Sequence, residues 1–220
     1  MKKRKISGEI AAALLIATLI MALLSGCGGG NTTTPASNGD TSTDAKTDEI
    51  EEVTPIINGD TETIDFDNGD HYEGETANGQ PNGKGVMTYG SGDVYDGDWV
   101  DGRIDGKGVL TWAIGDVYDG DWVDGRMEGK GVLTKVSGDV YDGDWVDGKM
   151  NGKGVFTQSH AVYDGEFVDN KMEGKGVSTW ANGDVYDGDW VNNKMNGKGI
   201  MTYADGTIQS GEWKDNEFIG

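Results

Sequence analysis

Cysteine, proline and long apolar runs are scarce in this chain, and each shortage excludes a class of protein. Cys27 is the only cysteine among 220 residues, which leaves no disulfide framework and no cluster of thiolate metal ligands. Proline occurs 3 times against 38 glycines, so the glycine content is neither that of collagen nor that of a proline-rich linker. Basic residues are outnumbered 18 to 39, giving a formal charge of −21. Nucleic acid, held mainly by lysine and arginine on phosphates, is therefore not an expected partner, nor are anionic lipid headgroups. His71 and His160 lie far apart and read as solvated loop residues, with no cysteine or second histidine at metal-ligand spacing. No nucleophile–base pair is recognisable, and the recurrent Gly-Lys-Gly lacks the Lys-Ser/Thr of a phosphate-binding loop. Carboxylates abound, but they repeat identically from unit to unit, which suits a scaffold better than a glycosidase pair. The expectation is a protein that is not an enzyme, with no cofactor and no metal.

The longest apolar run, Ile10 to Leu24, has fifteen residues, short of the roughly 20 that a spanning helix needs. It follows the basic Met1-Lys2-Lys3-Arg4-Lys5 and ends in Leu24-Ser25-Gly26-Cys27, the order of a secretory signal peptide. The last four residues resemble the lipobox of bacterial lipoproteins. That resemblance implies diacylglycerol on Cys27 and cleavage just before it, making residues 1–26 the signal peptide. Cleavage takes away four basic groups and one glutamate, moving the charge from −21 to −24. Residues 27–60 hold the lipidated cysteine and a Gly/Thr/Ser/Asp tether too poor in large apolar groups to fold, with a reach of roughly 30 Å. The expected location is the bacterial cell envelope, lipid-anchored and extracytoplasmic.

From 61 to 220 the chain repeats. Tyr72, Tyr95, Tyr118 and Tyr141 are spaced by 23; Tyr163 follows after 22, and Tyr186 and Gln209 resume the 23. A half-unit, "IDFDNGDH", precedes Tyr72. Asp101-Gly102 sits between two strand-like runs, the signature of a two-residue hairpin turn. Its second position is glycine in some units and asparagine in others (Asn170, Asn193, Asn216), the two residues that tolerate positive φ. Folding there pairs Trp99 with Ile104, Gly97 with Gly106, Asp96 with Lys107 and Tyr95 with Gly108. A second, three-residue loop, Ala113–Gly115, pairs Leu110 with Tyr118, Gly108 with Gly120 and Lys107 with Asp121. The missing residue near His160 shortens that loop to Ser159-His160 and keeps Phe156 opposite Tyr163. The fold class predicted is all-β: an elongated, single-layer antiparallel meander of consecutive hairpins, roughly 60 Å long at about 4.8 Å per strand.

These units, with Tyr-x-Gly-x-Trp, a Gly or Asn, Gly-Lys-Gly and a Thr-x-aromatic stretch, resemble the MORN repeat. The resemblance implies an interaction or scaffolding module; arrays of this family hold partners, form dimers and have been linked to membrane lipids. The position after the tryptophan, often lysine in the family, is Val100, Val123 and Val146 here, which with the acidic surface moves the membrane contact to Cys27.

Alternation along the strands puts Tyr95, Trp99, Ile104, Leu110 and Trp112 on one face and Asp96, Asp98, Val100, Lys107 and Val109 on the other. Lysines across from aspartates form a salt ladder. Asp98 facing Asp105, and Asp121 facing Glu128, leave a weak calcium-binding reading open. The Asp-x-Asp order is like a calcium loop, but its third Asp comes one residue late and the later Glu is missing. With no second layer over them, the tyrosines and tryptophans are expected to stack along the sheet on the flat spaces left by glycine, and even so stacked this aromatic face is the candidate partner-binding surface. It comprises Tyr95, Trp99, Trp112, Tyr118, Trp122, Tyr141, Trp145, Tyr163, Trp180, Tyr186 and Trp190. Its expected partners are a protein or a second copy of the chain; a glycan or cell-wall polysaccharide is the alternative. Lys135 and Gln158 stand where other units carry Trp112, Trp180 or Tyr203.

Overall fold

A computed structural model describes residues 3–6 and 57–220, and the regular elements among them are all β-strands. The leader (apart from Lys3–Ile6), Cys27 and most of the tether lie outside the described residues. The first strands are β1 (Lys3–Ile6), β2 (Ile57–Phe66), β3 (His71–Ala77) and β4 (Gln80–Thr88). Then come β5 (Val94–Val100), β6 (Arg103–Thr111), β7 (Val117–Val123), β8 (Arg126–Thr134), β9 (Val140–Val146) and β10 (Lys149–Gln158). The series ends with β11 (Ala161–Val168), β12 (Lys171–Trp180), β13 (Val185–Val191), β14 (Lys194–Thr202), β15 (Ile208–Lys214) and β16 (Glu217–Phe218). They lie side by side in sequence order in one open sheet, antiparallel from β2 onward. β1 pairs in parallel with Thr63–Phe66, a contact absent from the sequence reading, and β2 begins at Ile57, ahead of the boundary drawn at 61.

Local chemistry fixes both connections. Asp101 and Gly102 have φ of 47° and 78°, the paired positive values of a type I′ turn whose twist matches its strands. In the three-residue loop the Trp112 amide donates to the Asp116 carbonyl and the Gly115 amide to the Trp112 carbonyl. The register across this loop is as read from the sequence: Gly106 opposite Trp122, Lys107 opposite Asp121, Leu110 opposite Tyr118. Phe156 is opposite Tyr163 across Ser159-His160.

The register inside each hairpin differs from the sequence reading. Trp99 does face Ile104, but Gly97 faces Gly108 rather than Gly106, Asp96 faces Val109 rather than Lys107, and Tyr95 faces Leu110 rather than Gly108. Two extra residues are taken up by a bulge at Gly106, where φ is 114°. The Asp98 carboxylate covers the bulge and accepts the freed Lys107 amide at 2.9 Å. A slip of two leaves every side chain on its own face, whereas a slip of one would invert them. The expected separation of apolar and charged faces therefore survives the changed register.

Candidate interaction surface

Each tyrosine of the Tyr-x-Gly-x-Trp motif lies over a pair of facing glycines. Gly97 and Gly108 approach so closely that a Cβ on Gly97 would meet both the Gly108 Cα and the Tyr95 hydroxyl at 2.5 Å. The Tyr95 hydroxyl donates to the Asp98 carbonyl at 3.2 Å, and Tyr118, Tyr141, Tyr163 and Tyr186 repeat that bond. Trp99 stands edge-on to Tyr95 of its own unit and to Tyr72 of the unit before, with centroids 5.2 and 5.5 Å apart. Its indole N–H donates to the Gly85 carbonyl at 3.0 Å. Trp122, Trp145, Trp190 and Trp213 do the same to Gly108, Gly131, Gly176 and Gly199. One ring zipper thus runs from Tyr72 to Phe218, with Phe167 in one tryptophan position. Edge-to-face ring pairs contribute about 0.5–1.5 kcal/mol each beyond area burial.

The expectation of an uncovered Tyr/Trp ladder is corrected by this packing. Trp99, Trp122, Trp145 and Trp190 are each 3% exposed, and Tyr95, Tyr118, Tyr141, Tyr163 and Tyr186 are buried as well. Rings of neighbouring units cover one another, so the sheet makes its own core without a second layer. Burial raises the phenol pKa of these tyrosines, that of Tyr186 to about 12, so each stays a neutral donor near neutral pH. Of the predicted surface residues, Trp112 and Trp180 are half-buried and reach solvent. The layer beside them, missed in the sequence, consists of Met127, Leu133, Met150, Phe156, Met172 and Tyr203, also half-buried. Its signal was present: the second residue after each hairpin turn is Ile104, Met127, Met150, Met172 or Met195, apolar in every one of these units.

The charged face carries the salt ladder on one side only. Lys107 Nζ lies 2.5 Å from Asp121 Oδ1, and Lys84–Asp98, Lys130–Asp144 and Lys175–Asp189 repeat the pair. The hydrogen bond from Lys107, followed by that from the Lys130 amide, holds the Asp121 pKa below its ordinary value. A second ladder, not anticipated, joins successive turns: Arg103 to Asp124 at 2.8 Å and Arg126 to Asp147 at 2.6 Å. Asp121 does stand opposite Glu128, but among the described residues no group of three or more His, Cys, Asp or Glu could hold a metal ion. His71 is not a free loop residue: it sits in β3 with Nδ1 2.6 Å from Asp65 Oδ1. His160 is exposed in the shortened loop.

The MORN repeat family model matches residues 72–94, 95–117, 118–140, 141–159, 163–185 and 186–208. This chain is a MORN-repeat protein. The family points to a protein-interaction or membrane-binding role. No curated relative matches the chain. Among solved structures, this MORN chain is similar to the TCP domain of Drosophila melanogaster SAS-4 (dCPAP), determined in complex with a proline-rich motif of Ana2 (dSTIL). Identity is 14% and TM-score 0.44, covering 78% of this chain and 96% of that one. A streptogramin B lyase follows at 11% identity and TM-score 0.15, covering 69% and 68%. The gap in the MORN match at 160–162 begins at His160 in the shortened loop and runs into the start of β11.

Proposed function

We propose that this chain is an extracytoplasmic lipoprotein, anchored in a bacterial membrane through Cys27, whose MORN array holds a protein partner or a second copy on its apolar face. The observation that carries the reading is the half-buried row Met127, Leu133, Met150, Phe156 and Met172. The Tyr/Trp zipper beneath already satisfies its own packing, so this outer row is free to bury itself against something else. Apolar surface of this kind marks interaction sites in soluble proteins. The charge of −21 disfavours direct contact with anionic headgroups, and the lipid on Cys27 supplies the membrane contact instead. No catalysis is proposed. Half-buried Trp112, Trp180 and Tyr203 on the same face favour a polysaccharide as the second reading.

Two measurements test this. Cys27→Ser should abolish incorporation of labelled fatty acid and release the protein from membranes; a wild-type chain that never takes up the label refutes the anchor. Photo-crosslinkers at Leu133 and Val123 probe opposite faces in intact cells. Protein adducts from Leu133 and none from Val123 are expected, and capture on purified cell wall alone would favour the polysaccharide.

A further inference from the structure

We infer that the segment this face takes is basic and studded with bulky apolar side chains, and that it seats at the β10–β11 junction rather than evenly along the array. The inference rests on the interaction reading above and adds the place and the chemistry.

Several regularities of the array fail together at this junction. Phe167 replaces the tryptophan, so the Gly154 carbonyl receives no indole N–H of the kind that Gly131 and Gly176 receive on either side. Asp70, Asp93, Asp116 and Asp184 each accept the amide of the following loop at 2.9–3.0 Å. The loop after Asp139 is the shortened Ser159-His160, and the Asp139 carboxylate accepts no hydrogen bond among the described residues, although the residue is half-buried. The outer aromatic is replaced by Gln158 at the end of β10 and, in the neighbouring β8–β9 loop, by Lys135.

Two hollows of about 340 and 370 Å³ meet at this place and share Met150, Phe156 and Asn170. Each volume lies in the range of ligand sites, and together they form a trough with an apolar floor. Methionine in such a floor adapts to varied apolar partners. The rim of the second hollow carries Asp116, Asp139 and Lys135. Asp116 is occupied by the Val136 amide, while Asp139 is available to a cation. The charge of −21 draws basic segments in and repels acidic ones. Trp112 and Trp180 line the two hollows, but the run of flat aromatic platforms that a saccharide would want is broken between them, at Lys135 and Gln158.

The test uses the full-length chain and three fluorescent probes: a short lysine–leucine peptide, its glutamate–leucine counterpart, and a cell-wall oligosaccharide. The lysine–leucine peptide should bind at least about tenfold more tightly than the acidic one. Met150→Glu should abolish this binding and Met150→Leu retain it, both with native circular dichroism. Asp139→Asn should weaken binding about three- to tenfold at low salt, an effect that fades as salt rises. Lys135→Glu, at an exposed position off the zipper, should tighten binding and does not depend on the floor tolerating change. Equal binding of the acidic peptide, binding of the oligosaccharide alone, or indifference to Met150→Glu and Lys135→Glu would overturn the inference. Crosslinking from Leu133 to a partner whose contact segment is acidic would also overturn it while leaving the scaffold reading standing. The absence of any protein adduct in cells would remove both.

Discussion

Replacing Gly108 by alanine should damage this sheet far more than the size of a methyl group suggests. A Cβ at Gly108 would lie 2.5 Å from Tyr95 Cε2 and closer still to its hydroxyl and Cζ. Tyr95 cannot swing away, because it is 0% exposed and wedged between Trp99 and Trp122 at 5.2 and 5.7 Å. Overpacking costs about 1–3 kcal/mol, and displacing the ring gives up two edge-to-face contacts of about 0.5–1.5 kcal/mol each. A total of about 2–6 kcal/mol corresponds to a fall in melting temperature of roughly 4–24 °C for a protein of this size. The control is Gly125→Ala, which has φ of 76° and nothing within 4 Å; only left-handed backbone strain of about 1–2 kcal/mol is expected. Thermal melts followed by near-ultraviolet circular dichroism compare the two, and a double variant with Tyr95→Ala adds the decisive arm. With the ring gone, Gly108→Ala should cost little more. If Gly108→Ala shifts the melt no further than Gly125→Ala, the account of a tyrosine seated on paired glycines is wrong.

Phe167→Trp should restore the indole bond to the Gly154 carbonyl and stabilise the β10–β11 junction by about 0.5–1.5 kcal/mol; an unchanged or lower urea midpoint would refute this. The Asp121, Asp144 and Asp189 pKa values are lowered, first by the hydrogen bonds from Lys107, Lys130 and Lys175. Their contribution is therefore present above the unfolded value of about 3.9 and lost as pH falls through the lower folded value. Melts between pH 7 and pH 2 should show that loss, and Lys107→Met should flatten it. Calorimetric titration with calcium should reveal no saturable site tighter than about millimolar, and a stoichiometric signal with a large rise in melting temperature would reverse the reading of the aspartates.

The sequence made the turns legible because their chemistry is local. Asp101-Gly102 and Ala113–Gly115 specify their geometry within a few residues, and strand order in a meander follows from them. The hairpin bulge was hidden because its cause lies across the strand: Gly106 can adopt φ of 114°, but only the Asp98 carboxylate, meeting the Lys107 amide, makes that conformation worth adopting. Burial of the tryptophans was hidden for a similar reason. Alternation assigns them a face, but their cover is the tyrosine of the preceding unit, a contact that the period of 23 contains without announcing it. The asparagines of the later turns were read as tolerating positive φ. Asn170, Asn193 and Asn216 also accept the Met150, Met172 and Met195 amides at 2.7–2.8 Å, a task glycine cannot perform. Of the candidate surface, the face was legible and the depth was not: Tyr95 and Trp99 belong to the interior, Trp112 and Trp180 to the outside.

The contacts between turns carry a consequence for how such a gene can change. The Gly125 amide reaches the Ile104 carbonyl, and the Gly148 amide the Met127 carbonyl, by the same step along the chain. Removal of residues 118–140 in one piece would present Trp145 to Gly108 and Gly148 to Ile104, with every partner of the right kind. Loss of a single residue is accommodated only in a loop, as at Ser159-His160, since inside a strand it would turn one face into the other. Recombination in whole repeats therefore yields folded descendants of different length, whereas small insertions and deletions are confined to the loop edge. Array length is the inherited trait that this architecture leaves freest to vary.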